Sequence, residues 1–273
     1  MIIIDIDNLF KKYAAENVAK LKGTVTADNV EEKKEELYSS FQKQTFKELG
    51  GKTPLDFYSA DDDLIGILKE HFNRNVPVSE YLIHALSHHA NEDDLIKLLD
   101  ENNPDDLLLI VIEVLSHKNS KKCVNGLIDL LFSKNVPDSV KDSCAEYLEE
   151  QEVFDALEKT LRSNPYLSGA ACELLSRQKK RSPMIKKALT EELFKNKDKT
   201  PEYCAYLVEY GDESVLDDLY KALETAEDYV SYKEIGMAID ALGGTFTADR
   251  NFSKDKNYIK IKAANKSERK TDN

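Results

Sequence analysis

Six short strings, spread between residues 81 and 244, can be laid over one another on a single leucine: "YLIHALSHH", "LIVIEVLSHK", "SCAEYLEEQ", "AACELLSRQ", "EYCAYLVEY" and "GMAIDALGG". The shared leucines are Leu86, Leu115, Leu148, Leu175, Leu207 and Leu242. Three residues earlier stand Ile83, Ile112, Ala145, Cys172, Cys204 and Ile239; four earlier stand Leu82, Val111, Cys144, Ala171, Tyr203 and Ala238. Apolar residues at i, i+3 and i+4 line one face of a helix. Six copies of one stripe at a fixed interval mean that one structural unit is repeated, because a lone helix pair cannot bury its apolar face and a stack of pairs can.

The interval is about thirty residues. New helices are expected near Asp62, Glu92, Lys121, Glu152, Ser182 and Ser214, in steps of 30, 29, 31, 30 and 32. A second helix follows in each unit, near Pro77, Pro104, Pro137, Pro165, Pro201 and Ser231. The seven prolines are placed where a first helical turn begins, since the missing N–H costs nothing there and the fixed φ suits the helix. Five follow a residue suited to capping: Thr53, Asn103, Asn164, Ser182 and Thr200.

This period and pairing resemble short HEAT-like, armadillo-type repeats over roughly residues 61–244. The resemblance implies an all-α fold, a right-handed α-α superhelix (a HEAT-like solenoid) of about six helix pairs. Tetratricopeptide repeats fit less well, because their 34-residue period and Trp/Gly/Tyr signature are absent. Residues 1–60 read as an N-terminal helical cap of two helices, one with Phe10, Tyr13, Ala14 and Val18 on a face, the other with Leu37, Phe41, Thr45 and Leu49. After residue 244 the helical rhythm stops. Residues 245–273 form a basic tail of charge +4, partly disordered from about Ala264, with Phe246, Phe252, Tyr258, Ile259 and Ile261 as anchors.

The tail leaves −17 on the rest of a chain whose formal charge is −13. An acidic surface repels a phosphate backbone, so nucleic acid is not an expected partner and a basic protein or peptide is. No apolar run approaches a membrane span, and the start "MIIIDIDNLF" lacks the basic region and cleavage site of a signal peptide. Cys123, Cys144, Cys172 and Cys204 form no CxxC pair and no zinc spacing. A reduced, cytoplasmic protein without cofactor is the expectation.

Three strings imitate enzyme motifs. Gly51-Lys52-Thr53 resembles the end of a phosphate-binding loop, but the position that needs the first glycine holds Phe46 and no apolar strand precedes it. Two glycines closing a helix, followed by a Thr53-Pro54 start, explain it as well. "IIIDIDNLF" resembles the first motif of haloacid-dehalogenase-type phosphatases, with Asp5 as nucleophile and Asp7 as acid, yet no strand–helix alternation follows. A helix cap is the plainer reading. His84 and His88 stand at i and i+4 and can share a metal, but Ala85 occupies the glutamate position of the zinc-protease motif. Solvated histidines on a helix face are the alternative.

The aligned register also says what points away from the core. Two residues before the leucines stand His84, Glu113, Glu146 and Glu173; two after stand His88, His117, Glu150, Arg177 and Glu209. In HEAT-like stacks the second helices line the concave surface, so these residues are expected to form a partner-binding ridge, histidines at one end and carboxylates along the middle. The expected function is a non-enzymatic interaction scaffold. The alternatives are an enzyme on the same scaffold, similar to alkylpurine DNA glycosylases or phycobilin lyases, and histidine-based metal binding. The glycosylase likeness requires a basic concave face, and this one reads acidic.

Overall fold

The computed structural model describes residues 3–18, 30–164 and 166–271. The fold is all-α: among the described residues there are fifteen α-helices and no strand. They are α1 (Ile6–Val18), α2 (Val30–Lys43), α3 (Leu64–Asn73), α4 (Glu80–His89), α5 (Glu92–Ile96), α6 (Asp105–His117), α7 (Val124–Leu131), α8 (Asp138–Glu149), α9 (Phe154–Ser163), α10 (Gly169–Ser176), α11 (Pro183–Lys195), α12 (Thr200–Tyr210), α13 (Leu216–Thr225), α14 (Tyr229–Ala241) and α15 (Lys256–Thr271). The twelve starts expected between residues 62 and 231 each have a helix that begins within four residues, from α3 to α14.

The chain divides into two compact units, residues 1–126 and 127–273, with the division inside α7. In the first, α1 packs on α2, α3 on α4, α4 on α6, and α5 on α6. In the second, the even-numbered helices lie in a row, α8 against α10, α10 against α12, and α12 against α14. The odd-numbered helices back this row, with α9 on α11, α11 on α12 and α13 on α14. The repeated stripe makes these contacts. All six shared leucines are buried, as are seventeen of eighteen stripe residues overall. The exception is Ile83, half-buried beside a cavity. Truncating one such leucine to alanine costs about 2–5 kcal/mol, so the stripe carries much of each unit's stability.

Local signals agree less evenly. Ser182 caps α11 with bonds from Met184 and Ile185 N–H, as expected, and Pro183 and Pro201 stand in first turns. Pro104 and Pro137 stand one residue before α6 and α8. Pro77 does not start a helix: its carbonyl accepts from Nδ1 of the buried His71 at 2.9 Å, and the chain stays extended until Ser79. Asn103 and Asn164 do not cap; their side-chain amides donate to the Leu98 and Phe132 carbonyls. Thr200 lies inside α12 and donates to Lys197 O. The Pro165 boundary lies outside the described residues, as does the side chain of Val18.

The cap segment also departs from its periodicity. α2 ends at Lys43, so the expected spacing through Thr45 to Leu49 is broken, and Leu49 is buried from a turn instead. That turn is the Gly51-Lys52-Thr53 region. Gly50 and Gly51 take φ of +66° and +82°, and Phe46 N–H donates to Lys52 O across it at 3.1 Å. Left-handed φ is cheap only for glycine. The glycines therefore close this turn and not a helix. Thr53 Oγ1 accepts from Asp56 N at 3.1 Å, a local turn and not a helix start. Beyond this turn, Tyr58 is buried, Phe57 half-buried, and Leu55 exposed.

At the other end, residues 245–255 wrap α14. Phe246 stacks edge-on to Tyr232 at 5.3 Å, Phe252 packs on Tyr229 and Tyr232, and Tyr258 meets Tyr229 at 4.9 Å. Arg250 donates to the Ala226 and Glu224 carbonyls that end α13. Ile259 and Ile261, expected as anchors, are exposed. The helix α15 was not expected: it has no apolar stripe, and lysine and alanine favour helix without leaving a periodic signal.

Candidate interaction surface

The buried stripe of α4 consists of Tyr81, Leu82, Ala85 and Leu86. That forces His84 and His88 outward together. In α6 the buried face includes Val111, Ile112, Val114 and Leu115, which turns Glu113 and His117 outward. α4 and α6 pack side by side, and Lys118 Nζ donates to Ser87 O at 2.8 Å across them. Between these faces lies a cavity of about 680 Å³, walled by His84, His88, Glu113 and His117 together with Glu80, Tyr81, Ile83 and Ser87. Gln42 of α2 and Leu55 complete it from outside the helix pair.

The histidine rings stack, centroids 4.1 Å apart and planes 28° from parallel. Nδ1 of His88 lies 2.8 Å from His84 O. A ring nitrogen that faces a carbonyl must carry the proton, so a neutral His88 presents Nε2 as an acceptor. Glu80 and Glu113 have no ion-pair partner among the described residues. Glu80 stands in the first turn of α4, where the helix dipole favours a carboxylate. Burial pushes the Tyr81 phenol up to about 12; Gln42 offsets part of this rise without reaching hydrogen-bond geometry, and the charges of Glu80 and Asp7 add to it. Leu55 is 55% exposed, an apolar side chain left at the mouth.

The other five ridge residues belong to the second unit. Glu146 and Glu150 are exposed at α8, Glu209 is exposed on α12, and Glu173 is half-buried on α10. Arg177 follows α10 and bridges two carboxylates, Glu173 at 2.5 Å and Glu149. Glu149 was not among the expected ridge residues. It stands one residue after Leu148, while Arg177 stands two after Leu175, so their meeting is visible only when neighbouring repeats are aligned. A second cavity of about 490 Å³ is lined by Glu149, Glu150, Arg177, Lys179 and Lys180, among others. The carboxylates here are mixed with cations, unlike those of the first cavity.

The enzyme-like strings resolve into local structure. Asp5 Oδ1 accepts from Asn8 N–H at 2.8 Å at the start of α1, and no strand precedes it among the described residues. Lys52 Nζ reaches Phe57 O at 3.3 Å. Among the described residues no three His, Cys, Asp or Glu side chains gather to hold a metal ion, and no helix is long and apolar enough to cross a membrane. The architecture and surface define a class, an all-α protein of paired helices with an acidic, histidine-bearing cavity. No family, no curated protein and no solved structure matches the chain.

Proposed function

We propose that the chain is a non-enzymatic interaction scaffold: a HEAT-like α-α superhelix that presents an acidic surface to a basic protein or peptide. The row of even-numbered helices supports the architecture, and the repeated helix-pair length supports the family likeness. The observation that carries the function is the first cavity. It combines carboxylates without an ion-pair partner among the described residues, stacked imidazoles and an exposed leucine, and its described walls hold no lysine or arginine. Such a surface would take affinity from a few buried anchors and specificity from charge. The four cysteines are buried and none is in a disulfide, which suits a reducing compartment such as the cytoplasm.

The test is a set of basic peptides titrated at rising salt against the chain and against a variant with Glu113, Glu146 and Glu150 changed to Lys. Binding that weakens with salt and is lost in the triple variant supports the scaffold. Binding that ignores all three changes would sink the ridge. Solution scattering separates an elongated superhelix from a globular packing of the two units.

A further inference from the structure

Resting on the scaffold reading and narrowing it, we propose that the cavity between α4 and α6 is the receptor for one arginine side chain of the basic partner. The guanidinium would lie on the His84–His88 stack and donate to Glu113, with its methylene stem against Leu55.

The argument begins from what the cavity lacks. Two clusters of carboxylates elsewhere in the chain have their own cation: Arg177 bridges Glu149 and Glu173 from neighbouring helices, and Lys122 reaches the consecutive Glu92 and Asp93. At the first cavity no such cation exists among the described residues, and Lys118, next to His117, has its ammonium on the Ser87 carbonyl. Acceptors without a donor call for a cationic ligand. An anion would meet Glu80 and Glu113, both unpaired.

The shape of the acceptors then favours guanidinium over ammonium. Two near-parallel imidazoles give a flat π-face, and a planar, weakly hydrated guanidinium stacks on such a face where a compact ammonium keeps its water. Arginine has five N–H donors in a fork, all in its own plane, so while its face lies on the rings its edge can still bond a carboxylate. Its stem is apolar, which gives Leu55 a reason to stand exposed. The volume of about 680 Å³ leaves room for the side chain and part of its backbone. A metal fits less well: Nδ1 of His88 is committed to the His84 carbonyl, and the two rings face each other instead of converging on a point.

The test uses the full chain with its histidines observed by NMR. Nα-acetyl-arginine methylamide is titrated in, then the lysine analogue, then zinc alone. The expected result is a saturable shift of the His84 and His88 ring signals by the arginine compound, about tenfold weaker with the lysine compound and about tenfold weaker in Glu113→Gln. Glu113 is exposed, so that variant should fold normally, and Leu55→Ser provides a second, independent weakening. Equal shifts by both amino acids, or shifts by zinc alone, overturn the assignment. A nona-arginine peptide at low salt separates the two levels. If it binds but moves neither histidine and ignores Glu113→Gln, the pocket falls and the scaffold stands; if it does not bind at all, both fall.

Discussion

The hydroxyl of Tyr210, at the end of α12, holds both backbone groups of Ser182: it accepts from Ser182 N–H at 2.6 Å and donates to Ser182 O at 3.2 Å. Ser182 is the residue that caps α11. One buried phenol thus joins the start of one helix of a pair to the end of the other, and Arg181 covers its ring at 4.7 Å.

Tyr210→Phe keeps the ring and strands the buried Ser182 N–H, while Ser182 O keeps its bond from Lys186 N–H. The loss should be about 1–3 kcal/mol, a fall of several degrees in the thermal midpoint of the C-terminal unit. Chemical denaturation with and without the substitution measures it. No change in midpoint would show that water replaces the hydroxyl.

The buried thiols set a limit at high pH. Burial first, then the charges of Glu192 and Glu202, push Cys172 from 9.0 up to about 12, and burial pushes Cys204 to about 12. Above pH 9 the unfolded chain sheds these protons and the folded chain keeps them. Stability is therefore full below about pH 9 and falls as pH rises towards 12, by up to about 1.4 kcal/mol per pH unit for each thiol. In the same vein, Ellman's reagent at pH 8 should find none of the four thiols quickly in the native chain and all four in guanidinium. Fast native labelling of Cys172 would contradict the packing of α10.

Gly236 lets the tail approach α14. A Cβ there would stand 2.5 Å from the Phe246 ring. Gly236→Ala should lift that ring from Tyr232, at a cost of about 1–3 kcal/mol, and loosen Arg250 from its carbonyls. Trypsin should then cut after Arg250 faster than in the unaltered chain, with the rest of the protein equally resistant. Unchanged cleavage at Arg250 would mean that the other aromatic contacts suffice.

At the Gly51-Lys52-Thr53 turn the expected sensitivities are opposite to those of a phosphate loop. Lys52→Ala should change stability by less than about 0.5 kcal/mol, because its one bond is exposed. Gly51→Ala, at φ +82°, should cost about 1 kcal/mol or more. Thermal melts compare the two. A nucleotide affinity that depends on Lys52 would revive the enzyme reading.

The leucine stripe was legible because a core position is repeated six times and local noise averages out. Single signals were less reliable. Pro77 looks like a helix start, but His71 takes its carbonyl, a demand that comes from six residues away and leaves no mark beside the proline. Leu55 reads as core by chemistry and stands exposed by position. The cavity was half visible: the register pointed His84, His88, Glu113 and His117 outward, while Gln42 and Leu55 reach it from segments that periodicity does not relate to α4. Arg177 was placed on the ridge as a lone cation among carboxylates; that it bridges Glu149 and Glu173 depends on how neighbouring helices meet.

The strap of residues 245–255 has a consequence for the exposed end of the helix row. The last helix of a row of packed helices has no following helix to cover its apolar surface. On α14 that face is occupied by Phe246 and Phe252 and tied down by Arg250. The strap is a cover: its rings shield Tyr232 of α14 from water, and Arg250 fastens it to the carbonyls that end α13.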